Sequence, residues 1–342
     1  MSAAQVNRAT ASAAQERLAG LATPPGALGR LGEAGVWLAG VQGACPPRPV
    51  DDVRIVVFAG DHGVVDHGVT AFPSSVTPLM VRAFVAGSAG ACVLARQHGA
   101  QLRVVDVSVD DDLPDLPPAV SAGKVMRGSG AIHLADAMTT QQCEQALVLG
   151  ARLADEAIDD GADLLIGGDM GIGNTTPAAA LIGASLGVPA AEITGRGTGV
   201  DDAGLSRKEQ VIATALQRAG ARAHDPMQRL SALGGADLAA HTGFLVRAAE
   251  RGVPVLLDGV ISVACALVAE DLQPGSVAWF AAGHRSPEPA QSLALDKLGL
   301  VPLLDLGMRL GEGSGAVAAI PLLRSASALL TDVALLSDVL GS

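Results

Sequence analysis

The sequence predicts an α/β fold: a six-stranded, mainly parallel Rossmann-like sheet with helices on both faces, plus a small helical domain formed by the chain termini. Three observations lead there. Short apolar, β-branched runs recur at 53–59, 102–107, 163–166, 254–257, 277–281 and 301–304, and helical pattern separates each from the next. Clusters of Gly, Asp and His follow these runs, at the carboxyl edge where open parallel sheets bind ligands. No Ser- or Pro-rich linker divides the chain, so one large domain with a satellite is expected. Residues 1–50 form part of the small helical domain, 51–310 the large α/β domain, and 311–342 the helices that complete the small one.

Taken in order, residues 5–45 read as two helical pieces broken at TPPGALGRLG, where Pro24, Pro25, Gly26 and Gly29 forbid a continuous helix. Arg30 in this turn is either a solvated cap or the partner of an acid or phosphate. The first strand runs into GDHGVVDHGV, in which Asp61-His62 and Asp66-His67 repeat a pair. Such residues resemble metal ligands in composition. Gly63 and Gly68, however, prevent the i, i+4 helical spacing such ligands use, which favours a bent loop lining a cleft and no metal. Residues 76–99 read as one helix. The five Asp residues of DVSVDDDLPDLPP read as a solvated turn rather than a cation loop.

Residues 142–160 read as a helix leading into DLLIGGDMGIGNTTP, the stretch on which the chain centres. Here 163–166 is read as a strand, 167–174 as a glycine turn, and Thr176-Pro177 as a helix start with Thr as N-cap and Pro at the first helical position. A strand, a glycine turn and a helix N-terminus form an anion seat, because the backbone N–H groups and the helix dipole converge there. Asp169 beside the seat would repel a phosphate if aimed inward, so a sugar hydroxyl or a basic ring nitrogen suits it better. A ligand-free tight connection is the alternative reading. A second glycine run, GRGTG, precedes Lys208 on a following helix, and residues 210–249 are largely helical with breaks near 224–226 and 234–235. Asp258, then His284, Arg285 and Ser286, fall just after the fourth and fifth strands. In GEGSGA, Glu312 stands between two glycines. A general base with a raised pKa and an acid favoured by a helix N-terminus both fit it.

Composition narrows the function class. A net charge of −12 disfavours sequence-independent binding to nucleic acid or anionic lipid, and the absence of Tyr with only two Trp and five Phe argues against base-stacking platforms. Cys45, Cys92, Cys143 and Cys265 are widely spaced, without a CxxC pair, and read as reduced core thiols in a cytoplasmic protein. No apolar run reads as long enough to span a bilayer, and no secretory signal precedes the first helix.

The blocks TPPGALGRLG, FAGDHGVVDHGV, GGDMGIGNTTPAAAL, VLLDGVIS and MRLGEGSGA, in this order over nearly the whole chain, resemble the nicotinate-nucleotide:dimethylbenzimidazole phosphoribosyltransferases of cobalamin lower-ligand assembly. The resemblance implies transfer of the phosphoribosyl group of nicotinate mononucleotide to a benzimidazole nitrogen with inversion, giving α-ribazole phosphate and nicotinate. It implies Glu312 as the base, and the phosphate on the backbone of Met170, Gly171 and Ile172 with Gly197, Lys208 and Ser286. Asp61 and His62 line the cleft, and Met80 and Leu310 belong to substrate binding. It implies no metal, no cofactor and a homodimer. Asp169 stands where the family motif has Glu. Pro78-Leu79-Met80 stands where a Gln is expected beside the base pocket, which leaves the acceptor open among benzimidazoles, purines and phenols. A dinucleotide dehydrogenase would need GxGxxG after the first strand, where the chain has GDHGVVDHG. A non-catalytic nucleotide sensor would make Glu312 dispensable.

Overall fold

A computed structural model describes residues 2–341. In chain order its elements are α1 (Arg8–Gly20), α2 (Gly29–Gln42), β1 (Val53–Gly60), α3 (Val76–Val85), α4 (Gly90–Gln97), β2 (Gln101–Ser108), α5 (Thr140–Asp159), β3 (Leu164–Met170), α6 (Thr175–Leu186), α7 (Ala190–Ile193), α8 (Asp202–Ala219), α9 (Pro226–Leu233), α10 (Ala236–Arg251), β4 (Val255–Leu257), α11 (Val260–Leu272), β5 (Phe280–Ala282), α12 (Pro289–Leu298), α13 (Ser314–Asp332) and α14 (Leu336–Leu340). The sheet is parallel, with five strands in the order β2-β1-β3-β4-β5. The chain winds outward in both directions from β1, and the cleft of this sheet is lined chiefly by the segments that follow the carboxyl ends of β3, β4 and β5.

The sixth expected strand does not form. Residues 301–304 contribute a single parallel bridge, Leu304 to His284, with Leu303 N–H donating to Ala282 O at 2.9 Å. Pro302 has no N–H to extend a ladder. The fifth strand starts later than expected, because Ser276–Trp279 is a 3-10 turn.

Alternation along β1 explains the two-sided core. Val56 and Phe58 enter one cluster with the helices α5, α6 and α8–α12, whereas Val53, Ile55, Val57 and Ala59 enter the other with α2–α4 and α13. All of these strand side chains are at most 1% exposed, and full burial of each larger one is worth about 1.5–3 kcal/mol. The helices from the two termini share this second layer: Leu38 of α2 and Val317, Ile320 and Leu323 of α13 touch the sheet-side core directly. α1 packs outside them through Ala14, Ala39 and Leu330.

Cys92, Cys143 and Cys265 are buried as expected, but Cys45, also expected in the core, is exposed. Several expected boundaries move. The helix expected over 76–99 is two helices, α3 and α4, divided at Gly87, whose φ is +71°. Two stretches, residues 76–97 and α13, are long and apolar enough, by length and composition, to cross a membrane, contrary to the sequence reading; 33% of the first and 56% of the second is buried inside the protein. Arg30 pairs with Glu33 at 2.6 Å. The acidic loop is braced rather than merely solvated. Asp106 is fully buried against Lys124 at 3.1 Å, Asp115 pairs with Arg82 at 2.7 Å, and Asp112 pairs with Arg127.

Candidate active site

β3 is longer than its apolar run: it includes Gly167, Gly168, Asp169 and Met170. The two glycines belong to the strand because other groups press against it. A Cβ on Gly167 would lie 2.1 Å from His241 Nε2, and one on Gly168 would lie 2.4 Å from Glu312 O. Gly168 therefore lets the Glu312 loop rest on the strand. After β3, Gly171 packs so closely on Gly60 O that a Cβ would come within 2.2 Å, and Gly173 turns at φ +85° into α6.

α6 begins two residues earlier than expected, with Asn174 rather than Thr176 at the cap and Pro177 at the third helical position. Asn174 makes no side-chain cap bond to it; its Nδ2 donates to Asp169 Oδ1 at 2.7 Å. The N-terminus of α6 is thus left without a side-chain cap where it faces the cleft, which suits an anion. Ile172 N–H is already engaged by Thr77 Oγ1 at 3.2 Å.

The second glycine run crosses beside this helix. Lys208 of α8 is fully buried, and its Nζ donates to Thr175 Oγ1 at 2.7 Å and to Gly195 O at 3.0 Å. Burial pushes its pKa down, while Glu288 pulls it up. Glu288 Oε1 accepts from Gly197 N–H at 2.7 Å, and Gly197 adopts φ +52°. Ser286 is fixed by Gln291, whose Oε1 accepts from Ser286 N–H at 2.6 Å and Oγ at 2.5 Å.

Glu312 is the most constrained acid of the site. It is 3% exposed and holds φ +64°, a conformation costly for a side chain with a Cβ and one that gathers at functional sites. Its flanking glycines share the left-handed region, at +79° for Gly311 and +85° for Gly313. Asp258, directly after β4, fixes the start of α13. It accepts from Gly313 N–H at 3.2 Å, Gly315 N–H at 2.8 Å and Ala316 N–H at 3.0 Å, and so caps that helix from outside its own segment. Glu312 Oε2 in turn accepts from Ala91 N–H at 3.0 Å. Burial raises the Glu312 pKa, the Ala91 bond lowers it, and the charge of Asp258 raises it again, with a net upward shift.

One cleft, with about 910 Å³ of atom-free space partly open to solvent, brings together Glu312, Asp169, Met170, Gly171, Ile172, Gly197, Ser286 and Leu310 of the expected residues. Its walls also carry Val260, Ile261 and Leu310, an apolar surface suited to a flat ring. Lys208 lies just behind the wall, reaching it through Thr175.

Asp61, His62 and Met80 do not line the cleft. His62 is buried beneath it with Nε2 2.9 Å from Asp237 Oδ2, and Asp61 Oδ2 accepts from Asp110 N–H at 2.9 Å, tying the acidic loop to β1. Met80 packs against the core between α3 and the sheet. Asp169 is buried at the cleft floor with one carboxyl oxygen unpartnered. Burial and then Asp237 push its pKa well above the ordinary range, against the opposing pull of Asn174 and His62. This upward shift lessens the repulsion toward a phosphate that the sequence reading anticipated. Among the described residues no group of three or more His, Cys, Asp or Glu is arranged to hold a metal.

Sequence reasoning assigned no role to Asp258, Asn174, Thr175, Glu288 or Arg309, all on the cleft wall. Asp258 carried a signal, an acid directly after a strand. Glu288 sits before Pro289 and reads as an ordinary helix cap.

Comparisons with known proteins place the chain in a family. A family model described as phosphoribosyltransferase matches residues 3–339. The nicotinate-nucleotide–dimethylbenzimidazole phosphoribosyltransferase of Mycolicibacterium paratuberculosis is 53% identical over 325 residues, 95% of this chain and 93% of that protein. The enzyme of the same name from Corynebacterium efficiens is 49% identical, over 93% of this chain and 85% of its own. The crystal structure of CobT from Thermus thermophilus superposes with a TM-score of 0.91 at 42% identity, covering 97% of this chain and 98% of that one. With a matching family model over almost its full length, relatives at about half identity and a shared fold, this chain belongs to the nicotinate-nucleotide–dimethylbenzimidazole phosphoribosyltransferase family.

Proposed function

We propose that the protein transfers the phosphoribosyl group of nicotinate mononucleotide to dimethylbenzimidazole or a related base, giving α-ribazole 5′-phosphate and nicotinate for assembly of the cobalamin nucleotide loop. One observation carries the catalytic assignment: the uncapped N-terminus of α6 and the strained, buried Glu312 open on the same cleft. The phosphate sits at the start of α6, supported by Gly171, Ser286 and, through Thr175, the charge of Lys208. Asp169 faces the ribose. The acceptor ring lies along Val260, Ile261 and Leu310, with one nitrogen toward C1′ and its N–H toward Glu312.

The acceptor nitrogen forms a bond to C1′ as the bond from C1′ to the nicotinate nitrogen breaks, and Glu312 takes the proton from the other ring nitrogen. Nicotinate leaves readily because its ring nitrogen is cationic in the nucleotide. Glu312 also stabilises positive charge that builds on the ribose and the incoming ring. Holding both rings in line supplies the entropic share of the barrier. A homodimer, in which the N-terminal helices of one copy cover the partner's cleft, belongs to the same reading, and sedimentation velocity at assay concentration tests it.

Incubation with nicotinate mononucleotide and a panel of benzimidazoles, purines and phenols, followed by mass, tests the reaction. Equimolar nicotinate and α-ribazole phosphate are expected with dimethylbenzimidazole, and absence of base-dependent nicotinate release refutes it. The pH profile adds a second check. Glu312 acts only when ionised and its pKa is raised, so kcat/KM rises with pH through a limb above the ordinary glutamate range and is lost below it. A limb at or below that range contradicts the assignment.

A further inference from the structure

The charge on the cleft wall is unbalanced for an anionic donor. Four lining side chains are acids, Asp169, Asp258, Glu288 and Glu312, and among the described lining residues the one Lys or Arg is Arg309. Lys208 is not free to touch a ligand directly, being fully buried with its Nζ on Thr175 Oγ1 and Gly195 O. The glycine run offers less than its sequence promises, because the Gly197 amide is already spent on Glu288 Oε1 at 2.7 Å. On that side of the cleft an anion must therefore be met by a side chain.

Arg309 is placed to do so. Its side chain is exposed, and Nη1 donates to Gly197 O at 3.3 Å. Gly199, at φ +114°, leaves the guanidinium room, since a Cβ there would come within 3.2 Å of Nη1. The long bond to one carbonyl leaves the guanidinium's other donors for a ligand. A planar fork of N–H donors matches phosphate oxygens better than an ammonium does.

Resting on the phosphoribosyl-transfer reading, we propose that Arg309 is a binding residue for the donor, closing on its 5′-phosphate from the Gly197 loop, which lies beside the N-terminus of α6. Because Arg309 lies three residues before Glu312, the same loop then touches the phosphate at one end and the acceptor ring at the other.

The test uses the full chain, wild type and the variants Arg309→Ala and Arg309→Lys, with two competitive probes. Ribose 5-phosphate carries the phosphate without the ring, and nicotinate carries the ring carboxylate without the phosphate. Arg309→Ala is expected to raise KM for nicotinate mononucleotide and the inhibition constant of ribose 5-phosphate together by about 10- to 100-fold, with kcat changed much less and nicotinate inhibition unmoved. Arg309→Lys recovers part of the loss. An unchanged KM overturns the proposal. So does weakened inhibition by nicotinate alone, which would move the contact to the ring carboxylate, and so does wild-type enzyme indifferent to ribose 5-phosphate. A wild-type protein that releases no nicotinate at all instead refutes the underlying reaction, so the two failures are distinct.

Discussion

Glu312→Gln is expected to lower kcat by about 10²- to 10⁴-fold while donor affinity stays within about twofold of wild type. The amide has the shape of the carboxylate and its oxygen can still accept the Ala91 N–H, so the loop at φ +64° keeps its seat. What the variant lacks is a proton acceptor and a negative charge facing the ribose. Single-turnover transfer and calorimetric titration of nicotinate mononucleotide separate the two effects. Near-native transfer in this variant would show that Glu312 only shapes the loop.

Asp258→Ala is expected to cost about 2–3 kcal/mol of stability and most of the activity together. It leaves three buried N–H groups at the start of α13 without their acceptor, and these anchor the residue next to Glu312. Asp258→Asn keeps one acceptor oxygen, so it should fall between the two in urea denaturation. It also carries a sign that packing alone does not give. Because the charge of Asp258 raises the Glu312 pKa, its removal should move the acidic limb of kcat/KM to lower pH. An Ala variant as stable as wild type would contradict the cap, and an Asn variant with an unmoved limb would contradict the electrostatic coupling.

The parallel α/β architecture was legible because five apolar runs are continuous and each is followed by a helix pattern. Strand counting failed at 301–304, where composition suits a strand but Pro302 withholds a hydrogen bond. The glycines of GGDMGIGN misled in a different way. Gly167 and Gly168 read as a turn, yet they sit inside β3 because His241 and the Glu312 loop approach its backbone, contacts made by residues 74 and 144 positions later in the sequence (241 − 167 and 312 − 168). No local pattern carries that information.

The acid between glycines was legible for the same reason that it is strained: only such neighbours tolerate the turn that presents it. Asp61 and His62 looked like cleft residues because they follow β1, but β1 is a central strand, and its end is roofed by Asp237, Gly171 and the loop at Ser129. Asp258 and Arg309 lacked assignments because their value lies in partners, the amides of α13 and the Gly197 loop, that only the fold brings to them.

The most direct measurement is a crystal structure of the Glu312→Gln protein with nicotinate mononucleotide and dimethylbenzimidazole bound together. The expected result is phosphate at the start of α6, C1′ between the two rings, and the acceptor N–H within hydrogen-bonding reach of residue 312. A phosphate bound elsewhere, or an acceptor ring whose N–H points away from that side chain, would contradict it.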